Sequence, residues 1–415
     1  MGRVAVIGGG AAGMMAAVAA ARSGAQVTVF EKNDRVGKKI LATGNGKCNF
    51  SNRDFSVEYY HGDQRRLKGY FDRFSMEDTV RFFEAAGMLV KDKQGYLYPW
   101  SEQASTLLDL LRLELAGQQV EILLSTEVKE ISRSPETGRF RVCPGRDQGE
   151  YEAVIIACGG CAAPRTGSDG SGYLLAKALG HRIVPVVPAL VQLRCSDGFF
   201  QSIAGVRCEA VLRLCTEEEA RHRVLQEERG ELQFTDYGIS GIPVFQLSRT
   251  AACHLKRKER VTVYIDLLPQ MERQDFEAFC ARRLHQGRDR TIEEFLLGMA
   301  NKKLNLLMLR QAGLKPSETV ERAGIRRMKK LLYSYRELQV HVSAANSFEN
   351  AQVTAGGVDL SEIGKNLDSM KMPGIYFAGE VLDVDGRCGG YNLQWAWTSG
   401  WIAGQSAALR KARKH

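Results

Sequence analysis

The sequence contains no long hydrophobic run. Its most apolar segment, residues 11–21, is too short to cross a bilayer and is followed by Arg22. A secretory leader is not expected either, because an apolar strand at residues 4–7 starts almost at the initiator methionine. Without a leader, the ten cysteines indicate reduced thiols and not a disulfide framework. We therefore expect a cytoplasmic protein with no membrane span.

A strong compositional bias is also absent. Hydrophobic residues make up 44% and charged residues 25% of 415 residues, which is typical of globular chains of about two or three domains. The net charge of +9 favours anionic ligands in general but identifies none. No aromatic and basic RNA-binding module is present, so we expect a small-molecule substrate and no nucleic-acid partner. No feature indicates an oligomeric state.

The clearest motif lies between residues 4 and 31. An apolar strand runs into the glycine-rich turn at residues 8–13, and an alanine-rich helix and a second strand follow. In such a turn Gly8 permits the tight bend, Gly10 lets the backbone approach a pyrophosphate, and Gly13 lets the helix pack closely on the strand.

The two ends of this unit complete the prediction. The helix N-terminus offers its N–H groups and positive dipole end to phosphates. Glu31 ends the second strand, where a carboxylate can hold ribose hydroxyls. The strand, turn, helix, strand and terminal acid together predict a dinucleotide-binding Rossmann unit.

Two later strands distinguish FAD from NAD. Residues 151–160 form an apolar strand that ends in small residues, and residues 374–380 form another that ends in Gly379 and Glu380. The late strand resembles a flavin motif in which the acid meets the ribityl chain. Residues 389–394 then open a helix whose N-terminus can face the flavin pyrimidine. An enzyme that binds only NAD has no use for this distant strand, so the sequence predicts FAD.

Several segments carry a family resemblance across nearly the whole chain, namely residues 36–49, 230–235, 238–241, 353–358 and 374–404. In these segments the chain resembles the BaiN-type NAD(P)/FAD-dependent oxidoreductases, also described as aminoacetone-oxidase-like FAD-binding enzymes. It departs from their pattern by having Cys158, Cys161 and Cys388 where small or hydroxyl residues are commoner, and Asp236 where His is commoner.

A wider resemblance is to flavoproteins built like fumarate reductases. Residues 167–172 ahead of a helix, and Thr354 with the glycines that follow it, fit that plan. The resemblance implies hydride exchange between flavin N5 and a carbon next to, or conjugated with, a carbonyl. It also implies an α/β fold in which a FAD-binding Rossmann-like domain carries an inserted β-barrel-like and helical part.

The strand and helix patterns give the expected boundaries. Residues 1–190 and 336–415 form the FAD-binding domain, residues 191–270 a β-rich insert, and residues 271–335 a helical cap subdomain. The insert contains no second glycine-rich phosphate loop. If NADH or NADPH reduces the flavin, it must therefore bind transiently at the flavin face.

The candidate cofactor residues lie at the strand ends, in the loop at residues 43–49 and at the helix openings. They are Gly8, Gly10, Ala12, Gly13, Glu31, Lys32, Lys39, Thr43, Gly44, Gly46, Cys48, Asn49, Val128, Ala157, Gly159, Gly379, Glu380, Gly390, Asn392 and Leu393. We expect no metal site.

Two residues are candidates for catalysis. Lys47 lies in a glycine-flanked loop, where a cation would stabilise the reduced flavin anion; the alternative is a lysine that serves phosphates or solvent. His341 is a candidate proton donor, and the alternative is a structural histidine. Cys158 and Cys161 form a CxxC that suggests a redox disulfide or half a zinc site. No second CxxC completes a zinc site, and small-residue packing is the other explanation.

Three functions follow from these features. The leading hypothesis is a FAD-dependent reductase of a small conjugated enone or enoyl substrate. The second is a FAD-dependent oxidase of a small amine. The third is an RNA-associated flavoprotein, which the basic charge allows but which no RNA-binding motif supports.

Overall fold

A computed structural model of the chain describes residues 2–143, 149–218 and 221–410. The chain divides into two compact units. The first joins Met1–Val187 to Ala351–His415, and the second is the intervening segment Pro188–Asn350.

Strands occur along the whole chain: β1 (Arg3–Ile7), β2 (Gln26–Phe30), β3 (Ser51–Asn52), β4 (Tyr60–His61), β5 (Val90–Lys93), β6 (Tyr96–Pro99), β7 (Glu121–Leu123), β8 (Glu130–Arg133), β9 (Phe140–Cys143), β10 (Glu150–Tyr151), β11 (Ala153–Ile156), β12 (Ile183–Ala189), β13 (Leu193–Cys195), β14 (Arg207–Glu218), β15 (Arg221–Phe234), β16 (Gly238–Ser240), β17 (Val261–Asp266), β18 (Leu338–Ala345), β19 (Val353–Val358), β20 (Ile375–Phe377) and β21 (Asp385–Gly386). The helices are α1 (Ala11–Arg22), α2 (Lys38–Ala42), α3 (Gln64–Phe71), α4 (Met76–Ala85), α5 (Ala104–Gly117), α6 (Ser171–Ala178), α7 (Phe200–Ile203), α8 (Ile242–Lys256), α9 (Arg273–Gln286), α10 (Ile292–Phe295), α11 (Lys302–Gln311), α12 (Val320–Ala323), α13 (Ile325–Ser334) and α14 (Tyr391–Ala408). Short 3-10 turns lie at Thr43–Gly46, Val57–Tyr59, Pro164–Thr166, Leu360–Glu362 and Gly379–Val381.

The first unit is built on a five-stranded parallel sheet in the order β20-β11-β1-β2-β7. Its inner strands are almost fully buried, which explains their continuous apolar sequences. The chain leaves β1 toward β2 on one side, whereas β11 and β20 lie on the other. The switch point in strand order is therefore at the carboxyl end of β1, where open α/β sheets bind ligands.

Helices α1 and α14 pack against each other with almost no side chain between their backbones. A Cβ atom at Gly404 would lie 2.2 Å from the carbonyl oxygen of Ala16, and one at Gly400 would lie 2.5 Å from that of Ala12. These glycines let the C-terminal helix sit directly on the helix that follows the glycine-rich turn. The contact joins the two ends of the chain into one unit.

In this unit the buried His181 is bonded to the segment at residues 362–369. The side chain of Ser369 accepts hydrogen bonds from the backbone of Lys371 and Met372, so its hydroxyl is free to donate to His181 Nε2 at 2.7 Å. The Nδ1–H of His181 then donates to Glu362 Oε2 at 3.1 Å. Burial lowers the pKa of His181, because it disfavours the charged imidazolium more than Glu362 favours it.

The second unit contains a closed barrel in the order β13-β16-β15-β14-β17-β18. Strand β18 pairs with β13 and β17 and so belongs to this barrel, although the sequence pattern grouped residues 336–350 with the FAD domain. Alternating burial along β18 identifies a strand, but only the pairing shows which sheet it joins. Helices α7–α13 share one hydrophobic core with the barrel, so barrel and helical segment form one unit.

The fold class predicted from the sequence is confirmed: a Rossmann-like α/β domain is interrupted by a barrel and helices. No helix among residues 2–143, 149–218 and 221–410 is long and apolar enough to span a membrane.

The α1–α14 contact can be tested by adding one methyl group. We expect Gly404→Ala to lower the free energy of unfolding by about 1–3 kcal/mol, because the added Cβ meets the Ala16 carbonyl. Gly117→Ala is the matched control, since Gly117 is also helical but has nothing within 4 Å of its Cβ position. Chemical denaturation of both variants measures the effect. Equal stability of the two variants would contradict the packing argument.

The His181 cluster predicts a pH-dependent loss of stability. The pKa of His181 is lowered in the folded protein, whereas in the unfolded chain it lies near 6.5. The unfolded chain therefore takes up a proton first, and stability falls as the pH drops below about 6.5, by at most about 1.4 kcal/mol per pH unit. Thermal unfolding from pH 8 to 5.5 should show a steeper decline for the wild type than for His181→Gln. The exposed His285→Gln variant should keep the wild-type slope.

Candidate active site

The predicted cofactor residues of the first unit gather at the carboxyl edge of its parallel sheet. Strands β1, β2, β11 and β20 are parallel neighbours, so the segments that follow them meet at the same edge. These segments carry the glycine-rich turn, Glu31, residues 157–161 and residues 378–380.

The turn after β1 is held against the segment after β11. Gly8 has φ +103°, and a Cβ atom there would lie 2.6 Å from the carbonyl oxygen of Ala157. A Cβ atom at Gly13 would lie 1.8 Å from the Gly8 carbonyl oxygen, so helix α1 can begin here only with glycine at that position. Gly10 faces open space and caps α1 without a side-chain hydrogen bond. The first N–H groups of α1 are therefore placed to receive a phosphate, and Ala12 lies in this first turn.

Glu31 is buried at the end of β2 and is fixed by hydrogen bonds. Its Oε2 accepts from the backbone N–H of Gly9 at 2.7 Å, and its Oε1 accepts from the backbone and side chain of Asn33 at 2.8 and 2.7 Å. Its carbonyl oxygen accepts from Thr126, and the buried Val128 follows two residues later. The carboxylate still has acceptor positions left for ribose hydroxyls.

Glu380 links three segments of the site. Its Oε2 pairs with Lys39 Nζ at 2.7 Å, and its Oε1 accepts from the backbone N–H of Thr354 at 3.0 Å. The hydroxyl of Thr354 accepts in turn from the backbone N–H of Cys161 at 2.8 Å. The neighbouring Gly379 lies against α1, where a Cβ atom would come 2.7 Å from the Cβ of Ala12. A charge-assisted chain of hydrogen bonds therefore runs from α2 through the turn after β20 and through β19 to the segment after β11.

The loop at residues 43–49 lies against the start of α14. A Cβ atom at Gly390 would lie 2.8 Å from Asn49 Oδ1, which is buried and has no hydrogen-bond partner among the described residues. Such an orphaned acceptor suits a ligand N–H group. Gly44 and Gly46 have positive φ angles, which favour glycine. Burial raises the pKa of Cys48 to about 11, so its thiol stays protonated near neutral pH. The hydroxyl of Thr43 donates a hydrogen bond to the carbonyl oxygen of Ile40.

The first turn of α14 is anchored by amide side chains. Asn392 accepts from the backbone N–H of Gly386 at 2.8 Å and donates to the Gly386 carbonyl at 2.8 Å. Gln394 ends the motif at residues 389–394 but was not among the candidate cofactor residues. It is buried and bonds to Ser51, Thr79 and Thr398. Leu393 between them is half-buried. These contacts hold the N-terminus of α14 in a fixed orientation.

Two further candidates are placed by a segment that the sequence analysis linked only to the general fold plan. Lys32 pairs with Asp169 at 2.6 Å, and a Cβ atom at Gly159 would lie 2.3 Å from the hydroxyl of Ser168. Residues 167–172 therefore contact the ends of both β2 and β11. The motifs placed this stretch in the fold plan, but Ser168 and Asp169 were not among the candidate cofactor residues, because their contacts with Gly159 and Lys32 appear only in the folded chain.

The two catalytic candidates lie in different units: Lys47 in the first and His341 in the second. Lys47 is half-exposed and lies 3.4 Å from Glu102, which also pairs with Lys91 and Lys93. His341 lies on β18 in the second unit, is half-exposed, and pairs through Nδ1 with Asp197 at 2.8 Å. Both roles in catalysis stay predictions.

The CxxC pair has the character of packing residues. Cys158 and Cys161 are both free thiols. Burial raises the pKa of Cys158 to about 12 and also raises that of Cys161, so the reactive thiolate is disfavoured at both. Among the described residues no group of His, Cys, Asp and Glu could hold a metal ion.

Comparison with known proteins identifies the family. The model of the HI0933-like protein Rossmann domain matches residues 2–406. The chain belongs to this family. It is 41% identical to the 3-dehydro-bile acid delta(4,6)-reductase of Clostridium scindens, over 99% of this chain and 100% of that protein. It is 30% identical to the ribosomal RNA dihydrouridine synthase of Escherichia coli, over 98% of each chain.

A solved structure has the same fold. The 3-ketosteroid-delta4-(5alpha)-dehydrogenase of Rhodococcus jostii matches with a TM-score of 0.50 and 17% identity, over 98% of this chain and 96% of that one. The family model and the relative at 41% identity confirm the family resemblance stated from the motifs. This member of the HI0933-like family is an oxidoreductase and a flavoprotein with a Rossmann nucleotide-binding domain.

The role of Glu31 can be tested by removing its charge alone. Glu31→Gln replaces an acceptor oxygen by an NH₂ group, which cannot accept from Gly9 or Asn33 and binds ribose hydroxyls less well. We expect the dissociation constant for FAD to rise about tenfold or more. Reconstitution of apoprotein, followed by flavin fluorescence, gives this constant. The exposed Glu84→Gln variant is the control and should bind FAD like the wild type. Equal FAD affinity of the two variants would show that Glu31 does not contribute to cofactor binding.

Proposed function

We propose that this chain is a FAD-dependent reductase of a carbon–carbon double bond conjugated with a ketone in a small, steroid-like molecule. The observation that carries the proposal is the 41% identity to a 3-dehydro-bile acid delta(4,6)-reductase along the entire chain. It is supported by a sheet edge whose buried groups suit a flavin dinucleotide.

The site residues fit FAD in four places. The open N-terminus of α1 at Gly10 suits the pyrophosphate, and the fixed carboxylate of Glu31 suits the adenosine ribose. Glu380, held by Lys39, suits the hydroxyls of the ribityl chain. The orphaned Asn49 Oδ1 suits an N–H on the polar edge of the ring.

Reduced FAD, when bound, supplies the hydride for the double bond. The positive end of the α14 dipole would stabilise negative charge on the flavin ring, and Asn392 and Gln394 keep this helix in place. The buried Glu31 and the partly buried Glu380 are fixed by their N–H and lysine partners, so they would hold hydroxyl groups of the cofactor in place. Lys47 and His341 remain the proposed groups for charge stabilisation and proton donation.

NADH or NADPH is the proposed electron donor. The chain shows one glycine-rich phosphate turn of the Rossmann type, so the donor would meet the flavin transiently and not occupy a domain of its own. We also propose a cytoplasmic location, which suits the free thiols of Cys158 and Cys161.

A second candidate function rests on the similarity to ribosomal RNA dihydrouridine synthases at 30% identity. Formation of dihydrouridine is also the reduction of a double bond conjugated with a carbonyl, so the same flavin chemistry would serve. The higher identity to the bile acid reductase favours the small-molecule substrate.

The test uses the purified holoenzyme without oxygen. Its flavin is reduced with a limiting amount of dithionite, and a 3-oxo-4,6-diene bile acid is then added. We expect the oxidised flavin spectrum to return and one double bond of the steroid to be reduced per flavin, with no nicotinamide needed. The saturated 3-oxo analogue is the matched control and should leave the flavin reduced.

Three other results would overturn the proposal. Return of the flavin spectrum with uridine-containing ribosomal RNA, but not with the steroid, would favour the RNA function. Oxygen uptake with small amines in the absence of NADH and NADPH would favour an oxidase. Failure of the purified protein to bind FAD would exclude all three functions, namely the enone reductase, the RNA-modifying enzyme and the amine oxidase.

A further inference from the structure

The hairpin of β5 and β6 has an unusual face. Cross-strand partners Lys91 and Tyr98, and Lys93 and Tyr96, alternate with residues that face the opposite side, such as the buried Leu97. Partners directly opposite each other in an antiparallel pair share a face, so two lysines and two tyrosines lie side by side.

An exposed tryptophan extends this face. The backbone N–H of Trp100 donates to the carbonyl of Leu89, so these two residues form the next cross-strand pair on the same face of the hairpin. The Trp100 side chain is 61% exposed, and Lys91 Nζ lies 5.7 Å from its ring centroid. Lys93 Nζ lies 5.5 Å from the ring of Tyr98. We call Lys91, Lys93, Tyr96, Tyr98 and Trp100 the hairpin face.

The lysines of the hairpin face are not neutralised within their cluster. Glu102 pairs with Lys93 at 2.8 Å and with Lys91, and Lys47 approaches the same carboxylate at 3.4 Å. Hydrogen bonds from these lysines lower the pKa of Glu102 to about 2, so it is ionised at neutral pH. Three ammonium groups therefore meet one carboxylate, and the cluster keeps an excess of two positive charges.

The hairpin face also borders the predicted flavin loop. A Cβ atom at Gly389 would lie 2.9 Å from Cε1 of Tyr96, and one at Gly44 would lie 3.9 Å from Cε1 of Tyr98. Asn52, the strand partner of Tyr96, donates to the Gly389 carbonyl at 3.0 Å. The same hairpin thus contacts both the loop at residues 43–49 and the segment that opens α14.

We propose that the hairpin face binds the nicotinamide dinucleotide that reduces the flavin. Planar rings on the face suit a heterocyclic base, and the excess ammonium charge suits a pyrophosphate. The proposal rests on the proposed function, because it assigns a place to the electron donor of that reaction. It needs no second Rossmann domain.

The dimensions favour one dinucleotide over RNA. From Leu89 to Lys93 the face extends four residues, or about 14 Å at the rise of a strand. An RNA-binding channel needs a longer basic track with successive stacking rings. The net charge of +2 on Lys47, Lys91, Lys93 and Glu102 matches the charge of one pyrophosphate.

The test measures flavin reduction by NADH and by NADPH without oxygen in a stopped-flow spectrometer. For the Lys91→Ala/Lys93→Ala double variant we expect the half-saturating concentration of the better donor to rise about tenfold or more. Trp100→Ala should raise it as well. Lys68→Ala, which also removes an exposed, ion-paired lysine, is the matched control and should behave like the wild type. FAD content and the oxidised flavin spectrum report whether each variant folds.

Ionic strength provides an independent readout. The half-saturating concentration should rise with salt in the wild type and much less in the double variant, because its phosphate-facing charges are gone. Equal half-saturation of the double variant and the wild type would overturn the proposal. So would a wild-type flavin that neither nucleotide reduces, or a double variant that loses only binding to RNA.

The two proposals fail separately. Reduction of the steroid by dithionite-reduced enzyme tests the proposed function without any nucleotide. Half-saturation by NADH or NADPH tests the hairpin face without any steroid.

Discussion

The carbonyl oxygens of helix α1 lie against the backbone of helix α14, with no space for a side chain between them. Gly400 and Gly404 make this contact possible, and Gly13 makes the matching approach of α1 to the turn after β1. Helix α1 precedes the barrel in the sequence and α14 follows it. Their packing therefore holds the two segments of the first unit together. The first turn of α1 takes part in this packing, because Gly400 and, at the sheet edge, Gly379 both lie against Ala12.

The sheet edge combines this close packing with fixed charges. Glu31 and Glu380 would be costly to bury alone, but each accepts hydrogen bonds from backbone N–H groups, and Glu380 also pairs with Lys39. The orphaned Asn49 Oδ1 is the exception, since it is buried without a partner among the described residues. Fixed carboxylates that can still accept hydrogen bonds, together with this orphaned acceptor, are what a bound polar cofactor requires.

The charge of the protein gains meaning only from its distribution. A net charge of +9 is compatible with many anionic ligands. The folded chain places Lys47, Lys91 and Lys93 around Glu102, beside exposed aromatic rings. The meaning of the cysteines also depends on where the fold places them. The CxxC spacing suggests redox chemistry, but burial raises the pKa of both thiols and so disfavours the reactive thiolate.

The sequence by itself determined the local units, because a glycine-rich turn, a terminal acid and an apolar strand each need only neighbouring residues. It therefore predicted the Rossmann unit and the FAD preference, and the motifs showed the family resemblance, which in turn implied the barrel. Tertiary structure decided what depends on distant pairing: that β18 closes the barrel, that Lys39 reaches Glu380, and that Gln394 bonds to Ser51 and Thr79. These partners are tens to hundreds of residues apart, and only the packed backbone brings them within hydrogen-bond distance.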